Sequence, residues 1–142
     1  MVLLVPTAGT EINVTNFGKP VADAVNLNTA DVAALKTATA VTPWVLCTML
    51  NAFTPYGGTY QAPRYRKVGD IVYVEGGTAG GAIGSTAFTL PVGFRPPKDH
   101  QYSVSSYGIP GIVAINTAGS CYPNAPTDIR FIGWEFNFSV LA

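Results

Sequence analysis

The segment IGWEFNFSV, residues 132–140, decides the fold. Ile132, Trp134, Phe136, Phe138 and Val140 fall on one side by period two, and Gly133, Glu135, Asn137 and Ser139 on the other. That alternation belongs to a strand with one face in a core and the other toward solvent or a neighbour. Earlier in the chain, short runs rich in β-branched and aromatic residues recur: WVLCTMLN (44–51), YQAPRYRKV (60–68), DIVYVEGG (70–77), STAFTLP (85–91), QYSVSSYG (101–108) and GIVAINTAG (111–119). Clusters of Gly, Pro, Asn and Ser separate them. The spacing predicts a mainly β domain over 42–142, an antiparallel β-sandwich of jelly-roll-like form. Residues Ile71 to Val74 and Ile112 to Ile115 are apolar on both faces, so both runs are expected to be covered twice, on the outside by another subunit.

Composition points the same way. A chain of 142 residues carries one domain of ordinary size and a short appendage. Charged residues make up 11% of it, against about 25% in an average globular protein, and the formal net charge is zero. Few charges and no net repulsion favour association, so copies are expected to cover one another's apolar surface. Eight basic residues balance eight acidic ones, and the one local basic cluster is Arg64, Arg66 and Lys67, which excludes a phosphate-backbone binder. MVLLVPTAG lacks the charged start and apolar length of a signal peptide, and no run approaches the roughly 20 apolar residues of a membrane span. Synthesis in a cytoplasm, without membrane insertion, is the expectation.

Residues 1–41 differ in character. VLLVPTAGTEINV reads as an extended arm, apolar enough to join a neighbour's sheet. Beyond it, Val21, Val25, Asn28, Val32, Leu35 and Thr39 recur at alternating spacings of four and three, a narrow helical seam suited to partner helices. Asn28 interrupts the seam and reads as an N-cap with Asp31 in the first turn, giving two short helices or one broken helix. Packing of this segment on its own β domain is the alternative.

Little in the sequence carries chemistry. His100, beside Lys98 and Asp99, reads as a solvated loop residue, and without a second histidine no metal site can be drawn. Cys47 and Cys121 share no CxxC spacing. Cys47 reads as a small core residue, and the sequence leaves a bonded and a free pair both open. Among the acids, Glu75 and Glu135 alone lie on strands that could face each other, as glycoside cleavage requires; polar-face positions account for both equally well. GGTAGGAIG, 76–84, is no phosphate loop, since no Lys-Ser/Thr pair follows it, and reads as a flexible hairpin loop. No catalytic residue, cofactor or metal is assigned. Tyr56, Tyr60, Tyr65, Tyr102, Tyr107 and Tyr122 lie in or beside turns, where rings stack on sugars or seal subunit seams. All but Tyr65 are taken as candidate surface or glycan-binding residues.

An ordered set of motifs adds a resemblance. Trp44, then Asn51-Ala52-Phe53, Tyr56-Gly57-Gly58, Tyr65-Arg66-Lys67-Val68-Gly69-Asp70-Ile71-Val72, Gly76, and Phe88-Thr89-Leu90-Pro91-Val92-Gly93-Phe94-Arg95-Pro96 resemble the C-terminal receptor-binding head of bacteriophage tail fibres and minor tail proteins. The likeness covers residues 44 to about 97 and continues only in style to 142; the upstream segment is similar to the short module preceding such heads in phages of actinobacteria. It implies a non-enzymatic, homotrimeric head on a helical stem, exposed on the virion surface. Other virion proteins would hold the N-terminal segment, and host cell-wall glycan would be the partner bound. The stem residues would be Val21, Val25, Val32 and Leu35. Leu90, Pro91, Gly93, Arg95 and Pro96 would form a rigid loop, crossing from one sheet to the next beside a subunit boundary, with Arg95 offered to a carboxylate or carbonyl. A capsid decoration protein or head fibre at a three-fold position is the second reading, a lectin module another, and a glycan hydrolase or lyase acting through Glu75 and Glu135 a further one.

Overall fold

The computed structural model describes residues 29–37 and 39–142, and the chain divides into one unit, Met1–Ala38, and a second, Thr39–Ala142. In the first unit a helix, α1, covers residues 29–37. Ala30, Ala33 and Ala34 favour it because alanine loses no side-chain freedom on entering a helix. The Thr37 hydroxyl donates to the Ala33 carbonyl at 3.0 Å. Val32 and Leu35, three residues apart on neighbouring turns, are exposed. Val21, Val25, Asn28 and the expected arm lie outside the described residues.

The second unit holds nine strands: β1 (Val45–Leu46), β2 (Phe53–Pro55), β3 (Arg64–Val68), β4 (Ile71–Gly80), β5 (Phe88–Thr89), β6 (His100–Ser106), β7 (Ile109–Ile115), β8 (Ser120–Asn124) and β9 (Ile132–Ser139). Every pairing is antiparallel. One sheet carries β1, β3, β4, β2 and β9; the other runs β5-β8-β7-β6. The domain is an antiparallel sandwich of two sheets. Its organising strand is β4, whose first half pairs with β3 and whose last three residues pair with β2, while Ile71 to Thr78 pair with Ser139 to Ile132 of β9.

The core follows from the alternation in β9. Ile132, Trp134, Phe136 and Phe138 are buried, and Glu135 and Asn137 are exposed. They meet Val72, Val74 and Thr78 of β4, with Phe88, Leu90, Val104, Val113, Ile115 and Cys121 supplied by or beside the second sheet. Each large apolar side chain buried there contributes about 1.5–3 kcal/mol. Trp134 lies at the centre, fully buried, 4.8 Å from the Phe88 ring at 68°, and its indole N–H donates to Thr78 Oγ1 at 2.8 Å.

Three expectations need correction. Residues 76–80 are not a flexible loop but the second half of β4, since the glycines there permit approaches that a side chain would block; the turn comes at 81–85. The strands β2 and β8 arise from stretches without a strand signal. Pro123 is tolerated inside β8 because β5 pairs only with Ser120 and Cys121, so that neighbour asks for no amide at residue 123. FTLPVGFRPPKDH does not cross between sheets, because β5 and β6 form opposite edges of one sheet. In the runs apolar on both faces, Val72, Val74, Val113, Ala114 and Ile115 are buried within the domain, and Tyr73 is 37% exposed.

Candidate functional site

A groove of about 930 Å³ opens on the outer face of the first sheet, where β4, β9 and β6 run side by side. Its formation starts at glycine. A Cβ on Gly76 would stand 2.6 Å from the Cα and N of Pro63, so the chain entering β3 lies directly against β4. The Gly77 amide then donates to the Gln61 carbonyl at 2.9 Å, and the Tyr56 amide to the Gly77 carbonyl at 2.9 Å. These bonds fix the turn carrying Gly57 and Gly58, both at positive φ, and bring Tyr56 and Tyr60 to the surface above β4. Phe131 completes the wall. The three rings contact one another pairwise at 5.0, 4.9 and 5.1 Å, a filled aromatic platform with no cage between them.

Across the groove stand Ser103 and Ser105 of β6, Gly108 of the β6–β7 turn, and Ile109 and Pro110 at the start of β7. The side chain that Gly133 lacks would meet the Ser105 carbonyl at 3.3 Å, so β6 lies close along β9. The floor carries charge in register. Arg64, Glu75 and Glu135 are successive cross-strand partners on β3, β4 and β9, and therefore share one face. Arg64 binds Glu75 Oε1 through Nε at 2.7 Å and Nη2 at 2.5 Å. Glu135 is exposed, and among the described residues no cation pairs with it. Further along this face Trp44 stacks under both Arg64 and Arg66, each at 4.5 Å, and Tyr73 lies 5.9 Å from Arg66, whose buried Nε makes no hydrogen bond.

Of the tyrosines singled out in the sequence, Tyr56 and Tyr60 come together, and Tyr60 lines the groove. Tyr107 occupies the β6–β7 turn beside it, its ring 4.0 Å from the Arg130 guanidinium, which in turn binds Asp128. Tyr102 is committed elsewhere: it stacks on Phe136 at 4.6 Å and donates its hydroxyl to the Asn137 carbonyl at 3.0 Å. Tyr122 belongs to the other sheet. His100 opens β6, half-buried, with its ring 6.0 Å from Tyr102 and 6.3 Å from Phe138. In the proline-rich connection Leu90 is buried, Gly93 has φ of 89°, and Arg95 Nε donates to the Leu90 carbonyl of the same loop at 2.9 Å. Phe94 meets Tyr65 at 5.1 Å, and Lys67 reaches the Gly93 carbonyl at 3.3 Å. Phe131, Ser103 and Ser105 were not legible as site residues, although Phe131 shares the odd-numbered, outward phase of Gly133 and Glu135.

The groove also has a definite position along the domain. At one end the Gly69 amide donates to the Ala40 carbonyl at 2.8 Å and the Val140 amide to the Asp70 carbonyl at 2.9 Å, so the unit's first and last residues meet at the β3–β4 hairpin. Glu75 to Gly77 lie roughly 17–24 Å farther along β4 from Asp70 at strand rise. The groove therefore lies partway along β4 from that hairpin.

Neither cysteine is bonded. Burial pushes the Cys47 thiol up from 9.0 to about 12, and burial first, then the neighbouring Cys47, raises Cys121. Such a thiol is protonated when folded and can ionise near pH 9 when unfolded, so its contribution is intact below that pH and falls as pH rises toward 12. Cys47 alone is expected to cost the domain about 4 kcal/mol across that window, at about 1.4 kcal/mol per pH unit. Urea midpoints measured from neutral to alkaline pH check this, and Cys47→Ala should flatten the decline. Among the described residues no group of three His, Cys, Asp or Glu side chains could hold a metal, and no helix is long and apolar enough to cross a membrane.

Comparison with known protein families, curated proteins and solved structures finds no match to this chain.

Proposed function

We propose that this chain is a non-enzymatic bacteriophage virion protein, a homotrimeric β-sandwich head of the tail-fibre or receptor-binding type, which holds host cell-surface glycan in the groove. One observation carries the binding reading: an aromatic platform of Tyr56, Tyr60 and Phe131 borders an open groove whose opposite wall carries Ser103 and Ser105. Exposed rings present flat apolar faces to sugar C–H surfaces at small entropic cost, and the serines opposite offer hydrogen bonds to sugar hydroxyls. The motif order of residues 44–97 supports the virion assignment. Self-association is supported by Val41, Val45, Leu46 and Leu50, which leave one apolar edge of the first sheet exposed.

Light scattering on the purified protein should give three times the chain mass at micromolar concentration; a monomer there counts against the trimer. Retention on host cell-wall polysaccharide should fall about tenfold in Tyr60→Ala, as loss of one stacking ring implies. Unchanged retention removes the groove from the reading.

A second reading has its own observation. Glu75 and Glu135 are directly opposed, and opposed Cβ atoms lie about 4.5–5.5 Å apart, near the carboxyl spacing of about 5–5.5 Å in retaining glycosidases. Against it, Glu75 is bound by Arg64, and both acids rise side by side from one floor instead of flanking a bond. Release of reducing ends from wall polysaccharide, lost in Glu75→Gln, would establish the enzyme.

A further inference from the structure

We propose that the groove selects a glycan bearing a free, positively charged amine; the inference rests on the glycan-binding reading above and adds the chemical class of the sugar. Three charges stand in one register row, Arg64, Glu75 and Glu135, two of them negative. The single positive charge is spent, since Nε and Nη2 of Arg64 both contact Glu75 Oε1. Glu75 is paired by that contact, and Glu135 beside it is left as the carboxylate of the row without a cation among the described residues. The remaining lining is uncharged, including Tyr60, Gln61, Ser103, Ser105 and Phe131. A neutral sugar leaves the Glu135 carboxylate without a cation, and an acidic sugar adds a second unpaired negative charge beside it. An ammonium group beside Glu135 satisfies the carboxylate, while the same pyranose stacks its ring on Tyr60 and Phe131 and meets the serine hydroxyls with its own. A lysine side chain also neutralises Glu135, but leaves the platform and the hydroxyl wall unused. The groove volume, at the upper end of the roughly 300–1,000 Å³ of small-ligand sites, admits several sugar units.

Calorimetry of the full chain in mildly acidic buffer, with glucosamine oligomers against N-acetylglucosamine oligomers of equal length, tests this. The amine form should bind roughly fivefold more tightly, the upper range for a solvent-open ion pair. Added salt should narrow the gap, and Glu135→Gln should abolish it. Equal affinities, tighter binding of the acetylated oligomer, a preference that survives Glu135→Gln, or tetralysine outcompeting the amine sugar would each overturn the proposal. Should a neutral or acidic glycan bind in a Tyr60-dependent way while the amine form does not, the groove reading stands and the amine is rejected. If no glycan on a broad array is retained, the groove reading itself falls and the amine with it.

Discussion

Replacing Gly76 with alanine is expected to leave little folded protein. The new Cβ would lie 2.6 Å from the N and Cα of Pro63 and 2.7 Å from the carbonyl carbon of Ala62. All three are backbone atoms, so no side-chain rotation relieves the clash, and φ at this position is +129°, where L residues are strained in any case. Separating the 60–63 segment from β4 would break the Gly77–Gln61 hydrogen bond and carry Tyr60 off the groove wall. The combined penalty is on the order of 3 kcal/mol or more, among the large single-site effects. Gly84→Ala is the control, having φ of +79° and nothing within 4 Å of the added carbon. It should cost only the left-handed strain of about 1–2 kcal/mol. Soluble yield and thermal melts by circular dichroism compare the pair; a Gly76→Ala melt no lower than that of Gly84→Ala would mean that Pro63 does not press so closely on β4.

Trp134→Ala should destabilise the domain by about 3–5 kcal/mol through lost burial and the cavity left behind. It also strips Thr78 Oγ1, a fully buried hydroxyl, of its indole partner. Against a total stability of roughly 5–15 kcal/mol, such a loss lowers the melting temperature by about 20 °C or unfolds the domain outright. Trp134→Phe separates the two contributions. It retains a ring against Phe88 and removes the donor, so its cost should be about 1–3 kcal/mol, the penalty of an unsatisfied buried group. Urea midpoints report both variants, and a Phe variant as damaging as the Ala variant would shift the weight from packing to the hydrogen bond.

The sandwich was legible wherever alternation was uninterrupted. Trp134, Phe136 and Phe138 announce a core face by period two, and the structure buries all three. Legibility failed where small residues stand in for large ones. Gly76 to Gly80 look like a loop because a pattern of side chains cannot show that β4 needs their absence, with Pro63 on one side of it and Phe131 on the other. Strand β8 failed for a related reason. Ser120-Cys121-Tyr122-Pro123-Asn124 has turn composition, and the short reach of β5 that tolerates Pro123 is a fact of tertiary pairing. For the site, Tyr56 and Tyr60 could be named as exposed rings, but their meeting with Phe131 joins a turn to the residue leading into β9, about 70 residues on in sequence. Their common location follows from strand register. Glu75 and Glu135 were paired as a conjecture from strand membership, and the register aligns them directly. Tyr102 resembled its neighbours in sequence and differs through one carbonyl, that of Asn137, which claims its hydroxyl.

The hairpin at Gly69 and Asp70, which gathers both the opening and the closing residues of the domain, has a mechanical consequence. A pull applied to the sheet beyond Glu75 and resisted at that hairpin would run lengthwise through β4 and β9. Their eight paired positions, Ile71↔Ser139 through Thr78↔Ile132, then resist together in shear, where a zip would yield tooth by tooth.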